Sequence, residues 1–294
     1  MSGAADRVQA PFGTREVTIS GAEVVGPYRV FSCADADGPQ PEAGQFYMLA
    51  SVGNWGGGSD ERPYLPRAIS VLSAANGVLS FVLEAVGPGT EQLADLEKGD
   101  LLTLLGPLGN GFSAPGEGTR AILCGGGIGV APLAMLQEEL IAASFSVTAL
   151  LGFRDGEHAA GAKLLSSPQI ATDDGSVGHP GLVTELLLAD LDLDSDAVIY
   201  SCGPPQMLDA VRAISVASGV PAQLALEAPM ACGYGACYGC VVKTADGSFQ
   251  RACVDGLPEF AVEHSPPGGG APALAFPARQ PTARSEEQRL NSSH

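Results

Sequence analysis

The sequence is short of positive charge. Lys and Arg number 15 against 33 Asp and Glu, a net charge of −18 over 294 residues. A nucleic-acid surface needs a basic footprint, and so does attachment to an anionic membrane, so the balance argues against both partners. Its plain consequence is solubility. Long apolar runs are missing too: none approaches the roughly 18 residues of a membrane span. Met1 to Arg15 holds no apolar stretch of the kind a secretory signal carries. Histidine is scarce, with four residues, and none sits in an acid–base pattern; His264 and His294 read as stray surface residues. There is one tryptophan, Trp55.

Other features are plentiful. The length predicts two domains at roughly 100–200 residues each. Glycine (39) and proline (22) are abundant and predict many tight turns. Of seven cysteines, four fall between 227 and 253: Cys232, Cys237, Cys240 and Cys253. Their spacing is C-x4-C-x2-C, then twelve residues, then C. That is the spacing with which four thiolates hold a [2Fe–2S] cluster in plant-type ferredoxins. Gly233, Gly235 and Gly239 lie between the ligands, where a backbone free to take φ > 0 can turn its N–H groups toward sulfide. Ala231 and Ala236 add little bulk, and Tyr234 and Tyr238 are expected to shelter the cluster from water. Three readings stay open beside this one. Structural zinc also takes four cysteines, though usually as two close pairs. A disulfide framework needs an oxidising compartment. The last is that the thiols are merely packed. With thiols kept as ligands, the expected compartment is the reducing cytoplasm.

Residues 1–13 read as a loose lead. Strand-like runs follow at 16–19, 28–33, 45–50, 67–72, 78–85 and 101–105, with a short helix at 90–96 and a flexible loop at 53–60. Short strands separated by turns predict an antiparallel barrel or sandwich. Two features here point to a phosphate-bearing ligand. Arg67-Ala68-Ile69-Ser70 places a guanidinium and a hydroxyl on one strand, where they can hold a pyrophosphate and a flavin edge. On a straight strand the two face opposite ways, so a bend is required; the plain alternative is a solvated arginine. Gly87-Pro-Gly89-Thr90 opens a helix, either as an anion site or as a simple Thr cap. A Gly-rich loop, GPLGNGF at 106–112, closes the region.

From 119 the pattern changes. An apolar strand at 120–124 runs into Gly125-Gly126-Gly127-Ile-Gly129 and then a helix to about 142. Strand, glycine turn and helix make a dinucleotide phosphate site, although G-x-G-x-x-G is not matched. Strands at 146–153, 169–172, 197–201 and 223–226 alternate with helices at 162–166, 182–188 and 207–218. This predicts a parallel sheet with helices on both faces and a ligand at the strands' carboxyl ends. Cys202-Gly203-Pro204 is a second turn at such an end, where Cys202 either faces a nicotinamide or is packed. Cys33 and Cys124 read as core. The Pro/Gly/Ala/Ser-rich stretch 261–294 reads as disordered.

Taken in order, R-x-x-S at 67, VGPGT at 86, GPLGNGF at 106, GGGIGV at 125, TDDGS at 172, CGP at 202 with Met207-Leu208, and E-x-x-M-x-C-G-x-G-x-C-x-x-C at 227 resemble one family over about residues 14–260. It is the electron transfer subunits of dihydroorotate dehydrogenase B. The resemblance implies a ferredoxin-reductase-like α+β fold: an FAD-binding β-barrel (14–113), a doubly wound NAD-binding α/β domain (114–226) and a small [2Fe–2S] subdomain (227–260). It implies FAD on Arg67, Ala68, Ile69, Ser70, Val82, Leu83, Glu84, Gly89 and Thr90, and the cluster on the four cysteines. It also implies a partner, an FMN-containing dihydroorotate-oxidising catalytic subunit, two copies of each in a heterotetramer. Electrons would pass through cluster and FAD to NAD+ in pyrimidine (UMP) synthesis, with no catalytic side chain required. Two departures stand out: Ala68 replaces a usual proline, and Glu84 stands where a basic residue is common. The rival enzyme reading is a flavin/iron–sulfur reductase subunit of sulfide dehydrogenase or ferredoxin:NADP reductase type, whose members tend to have aspartate where Cys232 stands. The non-enzyme rival is a zinc-stabilised binding module.

Overall fold

The computed structural model describes residues 13–53, 55, 63–226, 228–243, 247–255 and the backbone of 259–260. The expected lead, most of the 53–60 loop and the 261–294 stretch therefore lie outside the described residues.

The first unit contains β1 (Arg15–Val25), β2 (Tyr28–Ala34), β3 (Phe46–Ser51), β4 (Arg67–Ala75), β5 (Val78–Glu84), α1 (Pro88–Ala94) and β6 (Leu101–Leu108). All pairings are antiparallel and the strands close into a barrel in the order β1-β2-β5-β4-β3-β6. Its interior is filled by Ile19, Phe31, Tyr47, Phe81, Leu102 and Leu104, each essentially inaccessible to water. β4 makes the bend the sequence demanded. Residues 67–70 pair with β3, and from Val71 onward the strand pairs with β5, with an irregularity between Val71 and Ser73.

The second unit contains β7 (Arg120–Gly126), α2 (Val130–Ala142), β8 (Val147–Phe153), β9 (Gln169–Thr172), β10 (His179–Pro180), α3 (Val183–Leu193), β11 (Ala197–Cys202), α4 (Pro205–Ser218) and β12 (Ala222–Ala225). These strands are parallel in the order β10-β9-β8-β7-β11-β12. Alternation along β7 sorts the faces. Ala121 and Leu123 pack with α2 and the barrel in one continuous cluster, while Ile122 and Cys124 pack with α3 and α4. The helix expected at 162–166 is instead a 3-10 segment, His158–Leu164. Gly161 there approaches Tyr28 so closely that a Cβ would lie 2.8 Å from its ring, so packing against the barrel shapes this segment.

After β12 the chain forms the hairpin β13 (Val241–Lys243) and β14 (Phe249–Arg251), then α5 (Ala252–Asp255) and β15 (Glu259–Phe260), which pairs antiparallel with β12. Cys240 and Cys253 form an apolar cluster with Phe46, Met48 and Leu108 of the barrel. No helix among the described residues is long and apolar enough to cross a membrane.

Candidate functional site

The cysteine segment is shaped by its backbone. Gly233 and Gly235 take φ of +78° and +83°, which only glycine adopts without strain. Gly233 also lies against the barrel, where a Cβ would meet Met48 at 2.6 Å. Gly239 does not take a positive φ; Tyr238 does, at 57°, with its ring under the Arg251 guanidinium at 5.3 Å. Tyr234 and Tyr238 are exposed, as is Cys237.

The thiols come in two pairs. Cys240 and Cys253 are buried with their sulfurs 3.1 Å apart. Cys232 and Cys237 form the outer pair. Burial pushes the Cys232 thiol up, but donors from Cys237, Tyr234 and Ala236 outweigh it and bring the thiol down to about 7. Burial, together with Cys240, holds Cys253 up at about 12. Among the described residues, no three His, Cys, Asp or Glu side chains converge closely enough to hold one metal ion. Two thiol pairs, one in a cradle of N–H donors, suit an iron–sulfur cluster better than a single zinc ion.

Beside this segment lies a cavity of about 410 Å³. Ala68, Ile69, Ser70, Val82, Leu83, Glu84 and Thr90 line it from the barrel, Gly129 and Cys202 from the sheet's carboxyl end, and Ala228, Met230 and Ala252 from the cysteine unit. Nearly all the residues expected to hold flavin are thus together. Arg67 and Gly89 are not in this wall. They lie against each other, a Cβ on Gly89 falling 2.3 Å from Arg67 Nε, with the Arg67 guanidinium 5.7 Å from the Trp55 ring. Thr90 acts as a loop clasp: its Oγ accepts from the Val86 N–H at 2.9 Å and donates to the Gly87 carbonyl at 3.1 Å.

A second cavity of about 550 Å³ opens at the ends of β7, β8, β9 and β11. Gly126, Gly127, Gly203 and Pro204 line it, as a dinucleotide site requires. Gly125 does not; a Cβ there would strike Leu133 and Leu151, so it serves helix–strand packing. Gly129 lets the two βα turns touch, since its Cβ would lie 2.2 Å from the Cys202 carbonyl. Cys202 is buried and borders the first cavity, not the second.

Glu84 lines both cavities. Its carboxylate lies 3.5 Å from Arg154 Nη2 and 3.4 Å from His158 Nε2. His158 is buried, edge-on to Tyr28, with Nδ1 2.7 Å from Asp155. The Tyr28 hydroxyl is pushed up to about 12, by burial first and then by Glu84. This cluster is invisible in the sequence, because residues 84 and 154–158 meet only when the two units pack.

Residues 227–264 match the iron–sulfur cluster binding domain of dihydroorotate dehydrogenase B. Over 213 residues the chain is 38% identical to the dihydroorotate dehydrogenase B (NAD(+)) electron transfer subunit of Desulforamulus reducens, covering 68% of this chain and 79% of that protein. The chain belongs to this family of electron transfer subunits. The Caldanaerobacter subterraneus member is 35% identical over 77% of this chain and 87% of its own length. Solved structures carry the same fold. An NADH-dependent reduced ferredoxin-NADP oxidoreductase superposes with a TM-score of 0.68 at 24% identity, covering 88% of this chain and 89% of that chain. A Neisseria gonorrhoeae ferredoxin NADP+ reductase with bound FAD and NADP gives 0.58 at 19% identity, covering 72% and 99%. The chain thus pairs a ferredoxin-reductase-like fold with an iron–sulfur domain.

Proposed function

We propose that this chain is the oxidoreductase subunit that takes electrons from a partner catalytic subunit, which oxidises dihydroorotate on FMN, and delivers them to NAD+ in cytoplasmic UMP synthesis. The observation that carries this reading is convergence. Barrel, α/β unit and cysteine unit all contribute walls to one cavity, and Glu84 and Ile128 are shared with the second.

The first cavity would hold the FAD ring along Ala68–Ser70 and Val82–Leu83, with Arg67 beside Gly89 at the start of α1 for its pyrophosphate. The glycine turns of the second would hold NAD+. Cys232, Cys237, Cys240 and Cys253 would hold a [2Fe–2S] cluster; that Ala252, next to Cys253, lines the first cavity supports a cluster close to the flavin. When bound, the cluster carries single electrons and FAD converts them to the hydride pair that nicotinamide accepts. The chain's own work is to position these groups and keep water from the flavin face with Phe46, Ala228 and Met230. FAD would belong to 14–113, NAD to 114–226 and the cluster to 227–260, with two chains joining two catalytic subunits.

The visible spectrum of the purified protein tests this reading. Flavin bands in the blue with a broad cluster shoulder at longer wavelength are expected. Colourless protein containing zinc would refute it.

A further inference from the structure

We propose that Arg154 holds the pyrophosphate of the nicotinamide dinucleotide, and that Glu84 and Asp155 position it. This rests on the reading of the second cavity as the NAD+ site. A dinucleotide brings two phosphate charges to a chain of net charge −18. The N–H groups at Gly126–Gly127 and the start of α2 attract an anion. Against them stand the carboxylates of Glu84 and Asp173, both in the cavity wall. Among the described residues, Arg154 is the only lysine or arginine that lines either cavity.

Its position follows from strand register. Gly152 of β8 pairs with Gly126 of β7, so Arg154 leaves its strand two residues on, beside the glycine turn. The guanidinium is held from behind. Nη2 meets His158 Nε2 and lies 3.5 Å from Glu84 Oε1, and Nε lies 3.4 Å from Asp155 Oδ2 and 3.2 Å from His158 Nδ1. Behind these, His158 is itself fixed against Tyr28 and by the Asp155 carboxylate.

These contacts orient the arginine without consuming it. Its carboxylate partners are at 3.4 and 3.5 Å, and the side chain remains 64% exposed. Ion pairs of that length and exposure are weak, whereas guanidinium and phosphate form short, charge-assisted and often paired hydrogen bonds. A bound pyrophosphate therefore competes successfully for the outer donors. Glu84 adds a second consequence. It ends β5, directly after Val82 and Leu83 of the flavin wall. An arginine anchored to it ties the pyrophosphate to the flavin strand, and so sets where the nicotinamide ring comes to rest.

The test is calorimetric titration of the full, cofactor-loaded chain with ADP-ribose, which has the pyrophosphate and lacks the nicotinamide ring, alongside NADH oxidation with ferricyanide as acceptor. Arg154→Gln should weaken ADP-ribose binding about tenfold or more, the loss of one charge-assisted contact. It should also flatten the salt dependence of binding, because one phosphate-paired charge is gone. Arg154→Lys should recover part of the affinity as a point charge. Glu84→Gln should raise the KM for NADH while the rate at saturation falls less than about threefold. ADP-ribose binding that is unchanged in Arg154→Gln, or lost equally in Arg154→Lys, overturns the proposal alone. A wild-type chain that binds neither ADP-ribose nor NADH overturns both it and the NAD+ reading.

Discussion

Single atoms decide several properties of this chain. A methyl at position 89 would fall 2.3–2.5 Å from the Arg67 guanidinium. The atoms it meets are the free end of a flexible side chain, so Gly89→Ala should leave the fold intact and push Arg67 aside. We expect the apoprotein's melting temperature to hold and its affinity for FAD to fall about tenfold, the worth of one charge-assisted contact. Fluorescence titration with FAD reads both limbs. Cys33 and Cys124 are inaccessible, and burial pushes both thiols up to about 12. The folded state keeps these protons while an unfolded thiol releases its own near about 8.5. Stability contributed by the two thiols is thus full below that value and is lost as pH rises toward 12. Melting temperature should fall on the alkaline side, and Cys33→Ala with Cys124→Ala should flatten the decline. At this scale the four-cysteine pattern was plain from its spacing. Arg154 and His158 were not, since their meaning comes from Glu84, some seventy residues earlier in the chain. Glu84, which stands where a basic residue is common in the family it resembles, turns its carboxylate toward that arginine.

At the scale of elements, the β7–α2 and β11–α4 turns press together. Gly129→Ala would drive a methyl to 2.2 Å from the backbone carbonyl of Cys202, which cannot swing away. Overpacking of this kind costs about 1–3 kcal/mol. A lowered melting temperature together with weakened NADH binding is expected; a variant that melts and binds as wild type would show that the turns are loose. The central strands were legible because they are near-continuous apolar runs, as along β7 and β11. The hairpin β13–β14 was not legible, because three-residue strands carry no period. The 3-10 segment at His158–Leu164 read as an α-helix, slightly displaced, because its Ala-rich composition favours one. Close packing of Gly26 on the Glu157 carbonyl and of Gly161 on Tyr28 shapes it instead.

At the scale of the whole molecule, the cysteine unit belongs to the matched iron–sulfur domain and is also a wall of the first cavity, the proposed flavin site. Its four proposed ligands should therefore differ in effect. Cys237 is exposed, so Cys237→Ser should lose iron and keep FAD. Cys253 is buried next to Ala252 in that wall, so Cys253→Ser should lose iron and weaken FAD as well. Iron and flavin analysis of the two purified variants separates these outcomes, and unchanged iron in either would remove that residue from the ligand set. The order of the three units was readable from motifs along the chain. Their convergence on one cavity was not, since it depends on packing between β3, the β11 end and the segment at 228–230. The central claim is that electrons leave a dihydroorotate-oxidising partner and reach NAD+ only through this chain. The direct measurement is NADH formation from dihydroorotate and NAD+ by the reconstituted complex of this chain with an FMN-containing catalytic subunit. The account predicts NADH with both subunits present, none with either alone, and none when this chain carries Cys237→Ser. Turnover by this chain alone, or undiminished turnover with Cys237→Ser, would contradict it.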